Sequence, residues 1–484
     1  MNGEQYKASL KKMRPNVYKW GKLIKDVTTD PATRLHVQSV ALSYDAAFDP
    51  ERAPLFTAKS HLTGEIAHRW NTLMCSAEAV WGNSKMKRAQ YHMTGTCQGA
   101  TCAGWTGINV LWAVTAEMDK EYGTNYQERM KKYFRYVEDN ALALAGAITD
   151  AKGNRNLKPS QQPNKDSNLH VKEVRPDGIV IRGYKAQICG VAACHEIIVV
   201  PGSGYGESEK DFCIACAVPR DAKGLTIVET RRPSDSRDEE EGWDVPKAGN
   251  ITQAFLFFDD VFVPNDRVFM NGEFKYSGKI IGYFTAIYRA AIGACVAGQG
   301  DIMAGAAINM ARANGLTQKT FQDRLNQMAI NNEVTYAVGL GAMFAGKGHF
   351  SGLWIPDALL AHVNKTQVAK LPYETKVIAQ DISGGIAETG CFPSYKDFQS
   401  EEYGEVLHKM LEAGCDGESR ARAARLVEWL TVGGGIPGCM HGGGSPDGAR
   451  MVVRGMEPWE KFAADAKRIA GITADLSEPA PVKK

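Results

Sequence analysis

Three cysteines in this chain have thiols that could bind a metal or react. Cys97 and Cys102 are separated by four residues in the segment 94–102, just before a predicted helix, and Cys295 lies far along the chain. Thiolates are soft metal ligands, whereas free cysteines are often small buried hydrophobic residues. The spacing alone therefore leaves two alternatives open, metal ligands and plain core thiols.

Few polar residues are candidates for acting on a substrate. Tyr288 could donate a proton or hydrogen-bond a substrate carbonyl, or be a core tyrosine with a satisfied hydroxyl. His441, in a glycine-rich loop, suits a cofactor or backbone contact more than a general base, and Cys189 is either a reactive thiol or an inert small side chain. His195, before a valine-rich strand, is interpreted as structural. The other polar candidates are Gln253, Gln98 and Arg289.

The hydrophobic period predicts which elements position these residues. From residue 4 to about 145 the period is helical, as in the runs 5–24, 109–121 and 125–139. Between residue 146 and about 269, short β-branched runs are separated by Gly, Pro, Asp and Asn. Those runs are 178–183, 196–201, 212–219, 225–228 and 254–258. Helical patterns then return and continue to about residue 472, with the Ala- and Gly-rich stretch 280–311 predicted as a packed interior helix pair.

This order predicts an α+β fold with three domains. They are an N-terminal helical domain of residues 1–145, a central antiparallel β domain of residues 146–272, and a C-terminal helical bundle with a tail, residues 273–484. A sheet module placed between two helical bundles leaves a cleft at their junction. The acidic run 235–241 is predicted to be a solvated loop, and the segment 477–484 a mobile tail.

Composition excludes several classes of protein. The chain has 484 residues, 44% of them hydrophobic and 23% charged, which excludes disordered and collagen-like chains. Its 57 basic and 55 acidic residues give a net charge of +2, so no overall field favours nucleic acid or an anionic membrane. The polar N-terminal segment lacks the apolar core of a secretory signal, so we expect a cytoplasmic protein whose 11 cysteines are mostly reduced thiols or metal ligands.

Several strings of residues carry a resemblance to a known family. FFDDVFVPNDR at 257–267 resembles the exit from the β domain of acyl-CoA dehydrogenase-fold flavoproteins. GAITDAKGNR at 146–155, KAQICG at 185–190 and MHGGGSP at 440–446 are similar to the 4-hydroxybutyryl-CoA dehydratase branch of that fold, whose relatives are the 4-hydroxyphenylacetate 3-hydroxylases. The resemblance extends from residue 4 to about 472 and implies the acyl-CoA dehydrogenase-like architecture.

The resemblance implies bound FAD between the β domain and the second helical bundle. Read without the family, residues 146–155 are only a polar turn before a strand. With it, their side chains suit a pyrophosphate and ribityl chain, and the backbone of 187–190 suits the flavin ring. The implied flavin contacts are Ile148, Thr149, Asp150, Asn154, Arg155, Gln187, Ile188, Cys189 and Gly190.

The resemblance also implies a 4Fe-4S cluster on Cys97, Cys102 and Cys295, although this chain departs from the family pattern. It has one extra residue between Cys97 and Cys102, and Tyr288 stands where the dehydratases have a histidine ligand. A phenol is a harder, poorer iron ligand than a thiolate or an imidazole, so plain core thiols remain the alternative.

Most of the family's acid and base groups are replaced as well. Gln253 and Gly438 stand at two glutamate positions, Ile292 and Val296 at a tyrosine and a lysine, and Cys189 at a flavin-contacting threonine. None of the replacements at the acid and base positions can act as an acid or a base. The chain is therefore expected to have the flavin scaffold without the 4-hydroxybutyryl-CoA reaction itself.

The resulting hypothesis is an FAD enzyme that acts on an acyl-CoA-type or related small organic substrate, with Tyr288, Gln253 and His441 as candidate catalytic residues. One alternative is a flavin-dependent monooxygenase of phenols, although Gly146 stands where those enzymes have a histidine. Another is a non-catalytic flavin-binding protein. The resemblance further implies a homotetramer, in which residues 380–385 lie near the cofactor of a neighbouring subunit.

Overall fold

A computed structural model of the chain describes residues 1–97, 99–231, 251–390, 393–432 and 440–476. The candidate residue Gln98, the acidic run 235–241, Gly438 and the tail 477–484 lie outside these ranges. The predicted order of helices, sheets and helices is confirmed. Where one domain ends and the next begins remains a prediction.

Among the described residues, six α-helices lie before residue 144. They are α1 Gly3–Lys11, α2 Arg34–Ala46, α3 Ala53–Phe56, α4 Ala77–Thr94, α5 Gly99–Tyr122 and α6 Tyr126–Asp139. In the described part of the chain after residue 271, nine α-helices follow. They are α7 Lys275–Ala313, α8 Gln322–Phe344, α9 Ala358–Val368, α10 Leu371–Ser383, α11 Gly385–Glu388, α12 Gly404–Leu411, α13 Gly417–Thr431, α14 Pro446–Met456 and α15 Trp459–Ile469.

The strands form two main sheets and two small hairpins. They are β1 Val17–Lys19, β2 Lys22–Ile24, β3 Thr57–Lys59, β4 Ile66–His68, β5 Leu144–Ala147, β6 His170–Arg175, β7 Gly178–Cys189, β8 Glu196–Val199, β9 Ile214–Pro219, β10 Leu225–Glu229, β11 Gln253–Pro264, β12 Val268–Asn271, β13 Lys347–Gly348 and β14 Trp354–Ile355. One sheet has the order β2-β1-β10-β11-β7-β6 and the other β12-β9-β8-β5. All five predicted strand runs are confirmed.

The two sheets are mainly antiparallel, with a parallel pair in each. β1 runs parallel to β10 and β5 runs parallel to β8. Alternate residues of β11, such as Leu256 and Phe258, face a core that also contains Ile197 and Ile227. This alternation is typical of a strand with one buried face, and it fixes the register at the end of the sheet that carries the candidate site.

The prediction of one helical run over residues 5–24 was wrong. Helix α1 ends at Lys11, and Val17 instead pairs with Ile227 of the sheet. Pro15 disfavours a helical conformation for the residue before it, and the chain then turns back at Trp20 and Gly21, both with positive φ. The N-terminal segment therefore adds two strands to the larger sheet.

The stretch 280–311 forms one helix, so the predicted helix pair was wrong. Its residues lie within α7, which is 39 residues long. Among the described residues it is the one helix long and apolar enough to cross a membrane by length and composition, and 72% of its most apolar window is buried inside the protein. A Cβ at Gly298 would lie 2.8 Å from the Arg88 carbonyl oxygen, so the glycine allows α4 and α7 to approach closely.

His195 has the structural surroundings that the sequence suggested. Its Nδ1 accepts a hydrogen bond from the Ala143 N–H at 3.0 Å, and its Nε2 lies 2.7 Å from the Ser9 hydroxyl oxygen. The ring is therefore neutral, with its proton on Nε2. Burial, with a smaller contribution from the Arg220 charge, lowers the pKa of His195 from 6.5 to about 4.

We expect the protein to lose stability as the pH falls from 6.5 toward 4. The unfolded chain binds a proton at residue 195 in this range and the folded chain does not. The contribution of His195 to the free energy of unfolding is therefore complete above pH 6.5. By pH 4 that contribution has fallen by roughly 3 kcal/mol. Burial also lowers the pKa of His68 to about 4, so His68 contributes a further loss of stability as the pH falls.

Melting temperatures of the unaltered protein and a His195→Asn variant across this pH range test the prediction. The variant should be less stable at pH 7.5 but lose less stability on acidification. Equal acid sensitivity of the two proteins would contradict it.

Candidate functional site

The three predicted metal ligands meet at one place. Cys97 follows α4, Cys102 lies on α5 and Cys295 lies on α7. All three side chains are buried and line one small cavity. Its other lining residues are Trp70, Lys87, Gln90, Tyr91 and Thr96. The three thiols therefore come from three separate segments, the loop after α4 and the helices α5 and α7, and contribute to a single site.

A buried lysine on α4 faces these thiols. The side chain of Lys87 is 4% exposed and lines the same cavity as Cys102. Burial alone would lower the pKa of the Lys87 ammonium, but the neighbouring Cys102 and Cys295 raise it above its ordinary value. Lys87 therefore remains a buried cation whose partners are sulfur atoms.

The thiols also interact with one another. The Cys97 thiol donates a hydrogen bond to the Cys295 sulfur, which lowers the pKa of Cys295 with help from the Lys87 charge. The same hydrogen bond, followed by burial, raises the pKa of Cys97. Cys295 is thus the thiol of this group that ionises most readily.

Cys189 brings a fourth thiol to the group. It lies at the end of β7, opposite Gln253 at the start of β11, and packs against the cluster of Tyr91, Cys97, Ile251 and Cys295. The Gln253 Nε2 donates to the Cys189 sulfur at 3.4 Å. Burial raises the pKa of Cys189 to about 11. The predicted catalytic glutamine is therefore in direct contact with a predicted cofactor ligand.

Tyr288, on α7, lies over the same group of thiols. Its ring stacks on Phe284, with 5.5 Å between ring centroids, and the Lys87 ammonium lies 5.6 Å from the centre of the ring. Its hydroxyl lies close enough to Cys102 for the two groups to interact electrostatically. The charge of Cys102, followed by burial, raises the pKa of Tyr288 well above its ordinary value. The phenol is therefore a proton donor at neutral pH.

The loop containing His441 covers Tyr288 through its glycines. Gly443 has φ +71°, and a Cβ there would lie 3.1 Å from two ring carbons of Tyr288. The Arg289 Nε donates to the Gly443 carbonyl at 3.0 Å and the Lys365 Nζ to the Gly442 carbonyl at 2.5 Å. The imidazole of His441 is exposed, so the loop places its backbone at the site and its histidine at the surface.

Asp150 and Lys185 form a buried ion pair beside β7. Their charged atoms lie 2.8 Å apart, and their side chains are 4% and 2% exposed. Lys185 also donates to the carbonyls of Ile148 and Val200. The Thr149 carbonyl accepts from the Ala186 N–H. These bonds attach the predicted flavin-binding segment 148–150 to the sheet.

Residues 152–155 present positive charge to solvent. Asn154 and Arg155 are exposed, and the Asn154 N–H donates to the Gln162 side chain at 2.9 Å. Burial, together with the nearby charge of Arg155, lowers the pKa of the Lys152 ammonium. Two cations held close together are suited to bind an anionic group such as a pyrophosphate.

The segment 187–190 contains an unusual backbone conformation. Gln187 has φ +56° at an irregularity in the pairing of β7 with β11, and its side chain is exposed. Ile188 is buried and pairs with Ala254, and the Gly190 N–H donates to the Thr252 carbonyl at 2.8 Å. A positive φ outside glycine stores strain, which is often found at ligand sites.

The structure thus brings the candidate metal ligands together with Tyr288, Gln253 and Cys189, whereas the His441 ring lies at the surface. Sequence reasoning missed Lys87 and Gln90. The sequence does contain a signal for Lys87, because it shares one face of α4 with Val80 and Tyr91, at helical spacing. A lysine on such a face is usually assigned to the surface.

The thiols suit an iron–sulfur cluster by their chemistry. Across the described ranges, no three or more His, Cys, Asp or Glu side chains are arranged to hold a single metal ion. A cluster has different requirements, since it takes several thiolates on several irons. Gln90 is 2% exposed at the cavity, and its Nε2 has no hydrogen-bond partner among the described residues. A buried unpaired donor of this kind is consistent with a polar ligand in the cavity.

Comparison with known proteins places the whole chain among enzymes of two kinds. Family models described as "4-hydroxyphenylacetate 3-hydroxylase N terminal" and "C terminal" match residues 2–270 and 277–471. The 4-hydroxybutyryl-CoA dehydratase/vinylacetyl-CoA-Delta-isomerase of Clostridium aminobutyricum is 35% identical over 98% of this chain and 99% of its own length.

Two solved structures have the same fold. The oxygen-tolerant archaeal 4-hydroxybutyryl-CoA dehydratase from N. maritimus matches with a TM-score of 0.94 and 34% identity, covering 99% of this chain and 96% of its own. The oxygenase component of 4-hydroxyphenylacetate 3-monooxygenase, complexed with FAD, matches with a TM-score of 0.81 and 21% identity, covering 97% and 98%.

The Asp150–Lys185 pair gives a prediction about stability. Asp150→Asn leaves the buried Lys185 ammonium without its anion, so we expect the free energy of unfolding to fall by roughly 3–5 kcal/mol. Replacing both residues, as Asp150→Leu with Lys185→Met, should destabilise the protein less than Asp150→Asn alone. Melting temperature is the measurement, and the exposed pair Lys172–Asp260 provides a control, because Asp260→Asn should change it little. Equal effects of the Asp150→Asn and Asp260→Asn variants would contradict a structural role for the buried pair.

Proposed function

We propose a function for this chain, which belongs to the 4-hydroxyphenylacetate 3-hydroxylase family. It is an FAD-dependent enzyme that acts by flavin redox chemistry on a CoA thioester or a related small organic substrate. The similarity to 4-hydroxybutyryl-CoA dehydratases over nearly the whole chain supports the thioester substrate. The complex of the related monooxygenase component with FAD supports the flavin.

The observation that carries the proposal is the convergence of candidate groups at one junction. The end of β7, the start of β11, helix α7 and the loop 440–445 meet around Cys189, Gln253, Tyr288 and Gly443. A bound FAD would supply redox chemistry at this junction. The residues that would hold it are those of 148–155 and 187–190.

These residues fit an FAD by charge and backbone geometry. Lys152 and Arg155 concentrate positive charge that suits the pyrophosphate. Gln187, with φ +56°, lies where the pairing of β7 with β11 is irregular, in the segment proposed to contact the flavin ring. The Asp150 carboxylate is already held by Lys185, so its proposed role is to fix the segment rather than to bind the cofactor alone.

Tyr288 is the group best suited to handle a proton. Its raised pKa keeps the hydroxyl protonated, so it can donate a hydrogen bond to a substrate carbonyl. Gln253 has no titrating group but can orient a substrate or Cys189 through its amide. The net reaction therefore need not be the dehydration catalysed by the relatives, whose acid and base groups this chain lacks. An iron–sulfur cluster on Cys97, Cys102 and Cys295 is part of the proposal.

Flavin content and its response to thioesters test the proposed function. Anaerobically purified protein should be yellow, with about one FAD per chain. Its flavin absorbance should change on adding four-carbon acyl-CoA esters, including 4-hydroxybutyryl-CoA and vinylacetyl-CoA, and remain unchanged with the free acids. Tyr288→Phe should slow the thioester response by about 10²-fold or more. Tyr283→Phe is the matched control on α7, because its hydroxyl bonds Glu117 instead.

The outcomes separate the alternatives. Oxygen-dependent consumption of reduced flavin with a phenol, and no thioester response, would favour a monooxygenase. Bound flavin that responds to neither would favour a non-catalytic protein. A colourless protein without affinity for FAD would contradict the proposal altogether.

We also propose that copies of the chain assemble, as the family resemblance implies. Helix α15 has no buried residue, and its Trp459, Phe462 and Ile469 are 53%, 48% and 78% exposed. The predicted neighbour-facing segment 380–385 includes the end of α10 and a turn at Gly384, where φ is +78°. Apolar side chains exposed along one helix are typical of a surface covered by another subunit.

Light scattering after size exclusion should give a tetramer. Trp459→Glu combined with Phe462→Glu should lower the mass toward dimer or monomer, because charges would then face an apolar contact. Phe48→Glu changes an equally exposed residue away from α15 and should leave the mass unchanged. A monomer for the unaltered chain would contradict assembly.

A further inference from the structure

A buried arginine next to Tyr288 has no carboxylate partner among the described residues. Arg289 lies on α7 and is 5% exposed, and within the described ranges its side chain donates one hydrogen bond, from Nε to the Gly443 carbonyl. We propose that Arg289 binds a carboxylate at the end of the acyl chain of the substrate, so that the substrate is a CoA thioester of a dicarboxylic acid. This inference rests on the proposed function, because it names the substrate class of the same site.

The described surroundings of Arg289 supply no negative charge. Burial lowers the pKa of its guanidinium to about 10, so the group remains a cation at neutral pH. The titratable group beside it is His362 on α9, and burial, with a smaller contribution from the Arg289 charge, lowers the pKa of that imidazole. A buried cation without an anion is costly, and this chain gives buried Lys185 a carboxylate partner in Asp150. The charge of Arg289 therefore calls for an anion from outside the chain.

The guanidinium is held in place and has an open side. Its Nε donates to the Gly443 carbonyl at 3.0 Å, and the Asn364 Nδ2 donates to the Arg289 carbonyl at 2.9 Å. Gly444 has φ +93°, and a Cβ there would lie 2.8 Å from Nη2, so the glycine leaves this nitrogen uncovered by a side chain. The two terminal nitrogens of a guanidinium form a planar fork that matches the two oxygens of a carboxylate. Arg289 thus presents a preorganised fork without an acceptor among the described residues.

The loop 440–445 places Arg289 beside the proton donor of the site. Gly443 contacts both residues, because its carbonyl accepts from Arg289 and a Cβ at this position would lie 3.1 Å from two ring carbons of Tyr288. A thioester whose carbonyl accepts a hydrogen bond from Tyr288 can therefore present a second polar group to Arg289. A carboxylate there would neutralise the buried charge, whereas the hydroxyl at the end of a 4-hydroxybutyryl chain would not. The site is thus suited to discriminate acyl chains by the charge at their end.

Binding of matched thioesters to the anaerobically purified full-length holoenzyme tests the inference. Succinyl-CoA is compared with butyryl-CoA, and glutaryl-CoA with pentanoyl-CoA, by flavin absorbance and by isothermal titration calorimetry. The dissociation constant should be at least about tenfold lower for the diacid ester of each pair. Arg289→Met should abolish this preference while changing the dissociation constants of the monoacid esters by less than about threefold, and Arg289→Lys, which keeps the charge without the fork, should retain part of it. Arg312→Met changes an exposed arginine of the same helix and is the matched control.

Each outcome either supports or overturns the proposal. A preference for the diacid esters that is lost in Arg289→Met and kept in Arg312→Met supports it. A preference that survives in Arg289→Met overturns it, as does a loss of FAD or of affinity for CoA alone in that variant, because Arg289 would then bind a phosphate. Equal responses to the diacid and monoacid esters in the unaltered protein overturn the inference and leave the proposed function standing, whereas flavin that responds to no thioester defeats the proposed function itself. If Arg289→Met does not fold, the preference measured in Arg289→Lys decides.

Discussion

The buried ammonium of Lys87 is the constraint around which the candidate site is organised. A lysine at this depth is stable only with polarizable or anionic partners, and here they are the sulfur atoms of Cys102 and Cys295. Those sulfur atoms come from α5 and α7, and both helices meet α4 at the cavity that Lys87 lines. Gly298 permits the approach because no side chain separates α7 from the Arg88 carbonyl.

A second buried lysine organises the sheet side of the junction. Lys185 pairs with Asp150 and donates to two carbonyls, which joins the segment after β5 to β7 and β8. With this region fixed, the chain can hold Gln187 in a strained conformation two residues later. The two lysines thus have different roles. Lys185 fixes the backbone of residues 148–150 against the sheet. Lys87 places a positive charge beside the thiols of the cavity.

Much of the fold was predictable because its signals are local. The helical period of the sequence predicts α5 and α6 without tertiary information. The β-branched runs predict five of the strands in the same way. Residues 17–24 were missed because their strands form by pairing with β10, more than 200 residues away, and an alternating run that short resembles part of a helix. The single helix α7 was predicted as a pair because Arg289, Asp301 and Asn309 interrupt its Ala- and Gly-rich apolar run, whereas all three residues lie within one continuous helix.

The candidate site was only partly predictable for a related reason. The family resemblance groups Cys97, Cys102 and Cys295, but the contact of Cys189 with this group depends on where β7 ends relative to α7, which no spacing encodes. The burial of Lys87 was likewise not predictable from its position in the sequence, since a lysine on a helix is usually an exposed surface charge. The described site holds buried thiols, a buried cation and a protonated Tyr288, beside the Gln253 amide, which does not titrate. Among these groups Tyr288 is the one whose chemistry suits the donation of a proton, because its raised pKa keeps the hydroxyl protonated at neutral pH.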